Sequence, residues 1–269
     1  MDLTGSPARR LSLNGLLCSF LLLLAATAAA QTGALIESEE LTYNVRYAFF
    51  DLGQVRITTR GRTTMAGRNV TYAKAFIDSY SGVPFADLHA TFESWIDSAF
   101  VPRMFVGKSK DGKVWEYSRY HFDYERGEVL IEGGRRDTIV EKRDTIGLSE
   151  PVQDGLSLFF FARDRLRSGR RMNVPCVIRE EKVNTFLDFP DTRTSVEVDA
   201  IPYPVDVIQF EGTLEFAGIF GLTGDFEGWF SNDDARVPIK ATMEVIIGNI
   251  TIELMEWKRE GWTAPRGSE

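Results

Sequence analysis

Along most of this chain apolar and polar residues alternate with a period of two, the mark of β-strands that bury one face. In residues 37–50, Leu41, Tyr43, Val45 and Tyr47 fall on one parity. Asp51-Leu52-Gly53 turns the chain, 55–59 run back, and a turn at 66–69 leads into 70–76. In 88–97, Leu88, Ala90, Phe92 and Ile96 face one way, and His89, Thr91, Glu93 and Trp95 face the other. Strands at 104–109, 114–124 and 129–131 follow, joined by Asp111-Gly112 and Glu125-Arg126-Gly127, residues suited to tight turns. The polar stretch 137–143 reads as an edge strand or protruding hairpin. Strands resume at 173–179, 183–189, 193–198 and 205–216.

The stretch 225–257 reads as three consecutive antiparallel strands. Asn232-Asp233-Asp234-Ala235 supplies the first turn through side chains that bond their own backbone, with an ion pair expected from Arg236. Pro238 lacks an N–H and belongs at a strand start, bulge or edge. Trp229 is expected to be substantially buried. Met243, Val245, Ile246 and Ile247 break the alternation, so that strand end is expected to be covered on both faces.

One segment changes period. Asp154 is placed to cap a helix over about 154–168, Pro151 precedes its entry, and Gly169 stands where it should end. At about 100° per residue, Leu156, Phe159, Phe160, Ala162 and Leu166 share one side, and Arg163 falls in its middle. A guanidinium there is expected to be buried and paired with an Asp or Glu from the sheet or the preceding loop, locking the helix down. The pattern predicts a mainly β fold: a large curled antiparallel sheet or barrel-like meander with one packed helix, because the short connections leave no room for crossover helices.

Composition adds a compartment. Arg9 and Arg10 precede an apolar run over 16–26, and Ala28-Ala29-Ala30 precedes Gln31, so residues 1–30 read as a secretory signal peptide cleaved near Ala30/Gln31. That run is too short to span a bilayer, and no later stretch approaches the ~20 apolar residues a spanning helix needs, so a soluble product is expected. The remainder reads as one β domain, 31–257, followed by a flexible polar tail, 258–269. Without Asp2, Arg9 and Arg10, the 31 basic and 39 acidic residues become 29 and 38, which argues against nucleic acid as a partner. Cys176 is then the single thiol, embedded in the apolar run Val174-Pro175-Cys176-Val177-Ile178 and expected to be buried and inert.

Little here carries reaction chemistry. His89 and His121 lack further ligands at metal spacing, so neither a metal nor a cofactor is expected. Glu93, Asp97 and Glu116 are the carboxylates that a hydrolase of envelope polymers would have to bring together. Trp95, Trp115, Tyr117 and Tyr120 fall on neighbouring strands with Phe122 and Tyr124; they are the candidates for stacking a glycan or lining an apolar cavity. Arg163, Arg165, Arg167, Arg170 and Arg171 form the basic cluster, suited to a helix C-terminus or to anionic head groups.

The order of Glu40-Leu41-Thr42-Tyr43-Asn44-Val45, the run 153–163 (QDGLSLFFFAR) and the run 229–238 (WFSNDDARVP), behind a signal peptide, resembles the exported bacterial family called domain of unknown function 3108. The resemblance implies a Gram-negative envelope protein of antiparallel β structure and implies no activity. The expectation is a non-enzymatic periplasmic binding or carrier module for a lipid-like or glycan ligand, with extracellular or outer-membrane-associated placement as alternatives. Its rivals are the paired-carboxylate hydrolase and a structural assembly partner without a small ligand.

Overall fold

The computed structural model describes residues 33–65, 67–83, 87–135, 139–215, 224–245 and 248–268, and Thr32–Glu269 forms one compact unit. The signal peptide expected at 1–30, Ile246 and Ile247 lie outside the described residues.

The period-two segments become β1 (Glu40–Tyr47), β2 (Phe50–Met65), β3 (Arg68–Ser79), β4 (His89–Asp97), β5 (Pro102–Asp111), β6 (Val114–Asp123), β7 (Glu128–Arg135) and β8 (Ile139–Gly147). After α1 (Ser157–Arg165) come β9 (Arg171–Ile178), β10 (Glu181–Val198), β11 (Ile201–Leu214), β12 (Gly224–Ser231), β13 (Pro238–Glu244) and β14 (Asn249–Lys258). The expected strands 183–189 and 193–198 are one strand. Pro190, which cannot donate, and Asp191, at φ 55°, sit in a bulge within β10 instead of ending it.

Among the described residues all fourteen strands belong to one antiparallel sheet, ordered β8-β7-β6-β5-β4-β3-β2-β1-β14-β13-β12-β11-β10-β9. The chain starts mid-sheet at β1 and walks outward to the β8 edge. It then crosses through α1 to the β9 edge and walks back until β14 pairs with β1. The sheet curls without closing into a barrel. Its far parts meet at the turn between β9 and β10, where Glu180 accepts from Ser118 on β6 and from Lys142 on β8.

The helix lies where the two halves of the walk come together. Leu156 and Phe160 pack with Leu41, Tyr43, Leu254 and Ile239, while Ala162 and Leu166 pack with Val174, Leu187 and Phe210. A third cluster joins Phe105, Tyr120 and Ile131 to Val152 and Val177. Asp154 caps the helix as its chemistry demands. Its carboxylate accepts from the backbone N–H of Leu156 (2.8 Å) and Ser157 (2.7 Å), while its own N–H donates to Ser157 Oγ (2.9 Å). Gly169, at φ 62°, occupies the left-handed position that ends the turn after Leu166.

β12, β13 and β14 form the expected meander, and Pro238 opens β13 opposite a bulge at Trp229/Phe230. Trp229 itself packs against the first cluster with part of its surface still accessible. Met243 and Val245 are also only half-buried, so the described part of that strand end is not enclosed on both faces.

The C-terminal stretch corrects the expectation of a frayed tail. β12 ends at Ser231 opposite Val207, which leaves the first part of β11 unpaired on that side. The tail supplies the missing partners: Asp206 N–H donates to the Pro265 carbonyl (2.9 Å) and Gly267 N–H to the Pro204 carbonyl (2.8 Å). Ala264 is buried, and the Trp262 indole N–H donates to Asp233 (2.8 Å).

Candidate functional site: a cleft in the curl of the sheet

The strand registers decide where space is left. One inward row runs Ala73, Ser94, Phe105, Tyr120, Ile131 across β3 to β7; Phe105, Tyr120 and Ile131 fill their part of it, and the helix segment covers Ala73 and Ser94. The next row is Ala75, Phe92, Gly107, Ser118, Gly133, in which only Phe92 is large. Above it run Ile77, Ala90, Ser109, Glu116 and Arg135. Small residues at neighbouring inward positions leave a cleft of about 670 Å³. Leu156 just before α1, Phe159 of α1 and Val177 of β9 line it from the other side.

The cleft is chemically lopsided. Val55, Ile57, Ile77, Ala90 and Phe92 make its β2–β4 side apolar. Toward β7 and β8 it is bordered by charges, with Arg135 paired to Glu141 (3.3 Å) and Lys142 to Glu180. The Tyr120 hydroxyl accepts the Glu180 N–H (3.1 Å), and burial pushes its pKa up to about 12.

Of the four aromatic candidates, the structure brings Tyr120 into the cleft, places Tyr117 in its lining from the opposite parity of β6, and leaves Trp95 and Trp115 out of it. Trp95 has the parity opposite to Phe92 and Ser94, and it packs on Tyr72 with ring centroids 5.0 Å apart. Trp115 is largely exposed. The pleat of the sheet splits a group that looked like one wall. It also separates the carboxylates. Glu93 pairs with Lys74 (2.9 Å), and Asp97 binds Arg103 and the backbone of its own turn, while Glu116 lies on the cleft border. Among the described residues no three His, Cys, Asp or Glu side chains converge as metal ligands.

Below the cleft the helix is fastened by the residue that its wheel singled out. Arg163 is fully buried, and its guanidinium faces Glu39 with two hydrogen bonds, Nη1 to Oε2 (2.6 Å) and Nη2 to Oε1 (2.8 Å). Its remaining donors reach the carbonyls of Arg236 (2.7 Å) and Ala235 (2.8 Å). Arg259, just past β14, adds a bond to Glu39 (2.6 Å). Burial alone would raise the Glu39 carboxyl, but the two guanidiniums outweigh it and hold it below the ordinary carboxylate range. The same carboxylate holds Arg163 protonated against its own burial.

The turn 232–237 is the platform for this contact. Asp233 accepts from Ser231 Oγ (2.8 Å) and the Arg236 N–H (2.9 Å), the expected turn chemistry. The expected ion pair from Arg236 is not what forms. At φ 46° its chain turns away, and its guanidinium donates to the Asp164 carbonyl of the helix (2.7 Å), while Asp234 faces Arg167 at 3.9 Å. The basic cluster is thus dispersed, with Arg165 on Asp164 and Arg171 on Asp188.

Sequence reasoning did not single out Glu39, Arg259 or Ser94. Glu39 stands among Glu37, Glu39 and Glu40 with nothing local to mark it, 124 residues from Arg163. Ser94 donates to the buried Asp154 carboxylate (2.7 Å). Burial pushes Asp154 up to about 6 in spite of its donors.

No helix among the described residues is long and apolar enough to cross a membrane. A search of curated proteins returns no match. Among solved structures, the chain is similar to a β-barrel-like protein of domain of unknown function DUF1849 from Brucella abortus. The identity is 12%, the TM-score 0.52, and 83% of this chain and 98% of that one are covered, which is a likeness of fold alone. A protein of YmcC-like fold from Bacteroides fragilis aligns over 84% of this chain and 97% of its own at 8% identity, with a TM-score of 0.37. The family comparison is direct: residues 42–255 match throughout, and the chain belongs to the family described as "Protein of unknown function (DUF3108)".

Proposed function

We propose that this protein is a non-enzymatic binding or carrier module of the cell envelope that holds a lipid-like ligand in the cleft. The observation that carries the reading is the composition of the inward rows. Gly107, Ser118 and Gly133 leave room in the curl of the sheet, beside an apolar wall built by β2, β3 and β4. A volume of 670 Å³ is within the range of ligand pockets, roughly 300–1,000 Å³. Apolar on one side and charged on the other, the cleft suits an amphiphile whose chain lies on Val55, Ile57, Ile77 and Phe92. A glycan is the poorer occupant, because Trp95 and Trp115, the best stacking surfaces, lie outside the cleft. The signal-like segment at 1–30 supports export, and the family resemblance supports the periplasm as the place of action.

Native mass spectrometry of protein purified from its own envelope tests this reading, with a co-purifying amphiphile expected. Ser109 is exposed at the cleft border, so Ser109→Trp should obstruct the cleft and deplete that species without unfolding the protein. Protein that carries no ligand and binds no environment-sensitive apolar dye would remove the carrier reading.

A further inference from the structure

The turn between β9 and β10 reaches across the curl to β6 and β8, and its backbone is strained. Arg179 and Glu180 form the whole loop between Ile178 and Glu181, at φ 50° and 67°. Two positive φ angles are the arrangement of a type I′ turn, which favours Asn-Gly, Asp-Gly or Gly-Gly. Left-handed backbone at two residues with long side chains persists only where surrounding contacts over-determine it. Glu180 supplies those contacts. Its N–H donates to the Tyr120 hydroxyl (3.1 Å), and its carboxylate accepts from Ser118 Oγ (3.2 Å) and from Lys142. The inward row makes room for it, because a Cβ on Gly133 would stand 3.3 Å from Glu180 Oε1. The turn is therefore fixed over β6 and β7 at the border of the cleft. None of these contacts uses the Arg179 side chain.

Arg179 lines the cleft directly after Val177 and Ile178, so the apolar strip that β9 adds to the lining ends on a guanidinium. The side chain is exposed, and among the described residues no carboxylate or carbonyl holds it. The neighbouring charges are already engaged. Arg135 pairs with Glu141 and Lys142 with Glu180, while Glu116 stands opposite Arg135 across the β6–β7 ladder. With Lys108, four cations border the cleft against three carboxylates, in a chain whose net charge is −8. An acidic protein has set a basic excess at this one border and left Arg179 available.

We infer that Arg179 is the head-group site of the cleft and that its ligand is an anionic amphiphile. The carboxylate or phosphate rests on the guanidinium, and the chain lies on Val55, Ile57, Ile77 and Phe92. The inference rests on the carrier reading and narrows it to one class of ligand. A guanidinium is permanently charged and presents a planar fork matched to an oxyanion, so it selects such a head over a neutral or cationic one. Because Glu180 fixes the turn before any ligand arrives, less backbone order is lost on binding. The strain at 179 and 180 then has a purpose. It sets a charged side chain where a glycine would relax the turn and recognise nothing.

The test is calorimetric titration of the protein, stripped of co-purifying lipid, with decanoate, decyl phosphate, decyl glucoside and decyltrimethylammonium. These share one chain and differ in head group; each is used below its micellar concentration and at low salt. Decanoate or decyl phosphate should bind at least about tenfold more tightly than decyl glucoside, with decyltrimethylammonium weakest. Preference for decanoate assigns a fatty acid, and preference for decyl phosphate a phosphate-headed lipid. Arg179→Gln should bring the anion to the affinity of the glucoside and leave the glucoside unchanged, and Arg179→Lys should keep part of the preference. Arg179→Asn suits the left-handed backbone, so it should lose the preference while unfolding at a temperature no lower than the parent. Equal affinity for anionic and neutral amphiphiles, or a preference that survives Arg179→Gln, overturns the inference and leaves the carrier reading standing. Failure of all four amphiphiles to bind overturns both.

Discussion

The two ends of this curled sheet are built on opposite principles. At the helix end the buried charges find partners across the fold. Arg163 spends its donors on Glu39 and on the carbonyls of residues 235 and 236, Arg236 reaches back to the helix, and the C-terminal chain completes β11. At the opposite rim the inward positions shrink to Gly107, Ser118 and Gly133, and Phe49 and Phe50 face solvent. The contrast teaches a division of labour. An open sheet has two edges and no ladder to hold its curl, so the helix and its buried arginine are expected to hold the curvature. With curvature fixed at one end, the other can leave space and expose apolar tips without losing the fold.

The sharpest way to break this contrast is at Arg163. Arg163→Met leaves Glu39 buried beside only Arg259 and should cost about 3–5 kcal/mol in urea unfolding, because a buried charge loses its partner. Glu39→Gln should cost a comparable amount, and the double variant less than the sum of the two. A loss from Arg163→Met below about 1 kcal/mol would mean that the helix end is not where the fold is held.

Next in size is a pH effect at the helix N-terminus. Asp154 holds its proton to about pH 6 in the fold, above its ordinary 3.8, so its contribution is fully present below 3.8 and is lost as the pH rises through 6. Two pKa units correspond to about 3 kcal/mol. Glu39 acts in the opposite sense, its contribution present above the ordinary carboxylate range and lost as the pH falls through its depressed pKa. Urea midpoints at pH 4.5 and 7 should show Asp154→Asn with a shallower decline over this interval than the parent. An unchanged slope would remove the titration from Asp154.

Smaller still, deletion of 261–269 removes the Trp262–Asp233 bond and the backbone bonds to β11, for a loss of about 2 kcal/mol. If the melting temperature does not move, the tail is not part of the helix-end scaffold. The smallest effect is expected at the open rim, where Phe49→Ser should alter stability in urea unfolding by no more than about 0.5 kcal/mol. Cys176 gives an independent clock for the closed end. Burial pushes its thiol up to about 12, so labelling in the native state should be slow and should accelerate in Arg163→Met as the helix loosens.

Much of this architecture was legible locally. Alternation placed the strands because the side-chain period of a strand is two, whatever it pairs with. Asp154, Gly169 and the period of Leu156, Phe160, Ala162 and Leu166 located the helix. Arg163 on the apolar side of that wheel announced an unmet demand for a buried acceptor. The frayed tail, the broken β10 and the single aromatic wall were misread for one reason. Each depends on what lies across the sheet, and neither polarity nor turn propensity within a segment reports that.

What the sequence by itself determined was the supply: strands with one apolar face, a capped helix and a charge that needs a partner. It misplaced the first hairpin turn, read at Asp51-Leu52-Gly53 and formed at Ala48 and Phe49. Tertiary structure decided the assignments. It chose Glu39 from three neighbouring glutamates, 124 residues from Arg163, because only β1 pairing with β14 brings that position under the helix. It also set Gly107 beside Ser118 and Ser118 beside Gly133, because a cleft is made by register across strands. Periodicity is fixed by bonds between neighbours in the chain. Register and the choice of ion-pair partner are fixed by packing that only the closed fold provides.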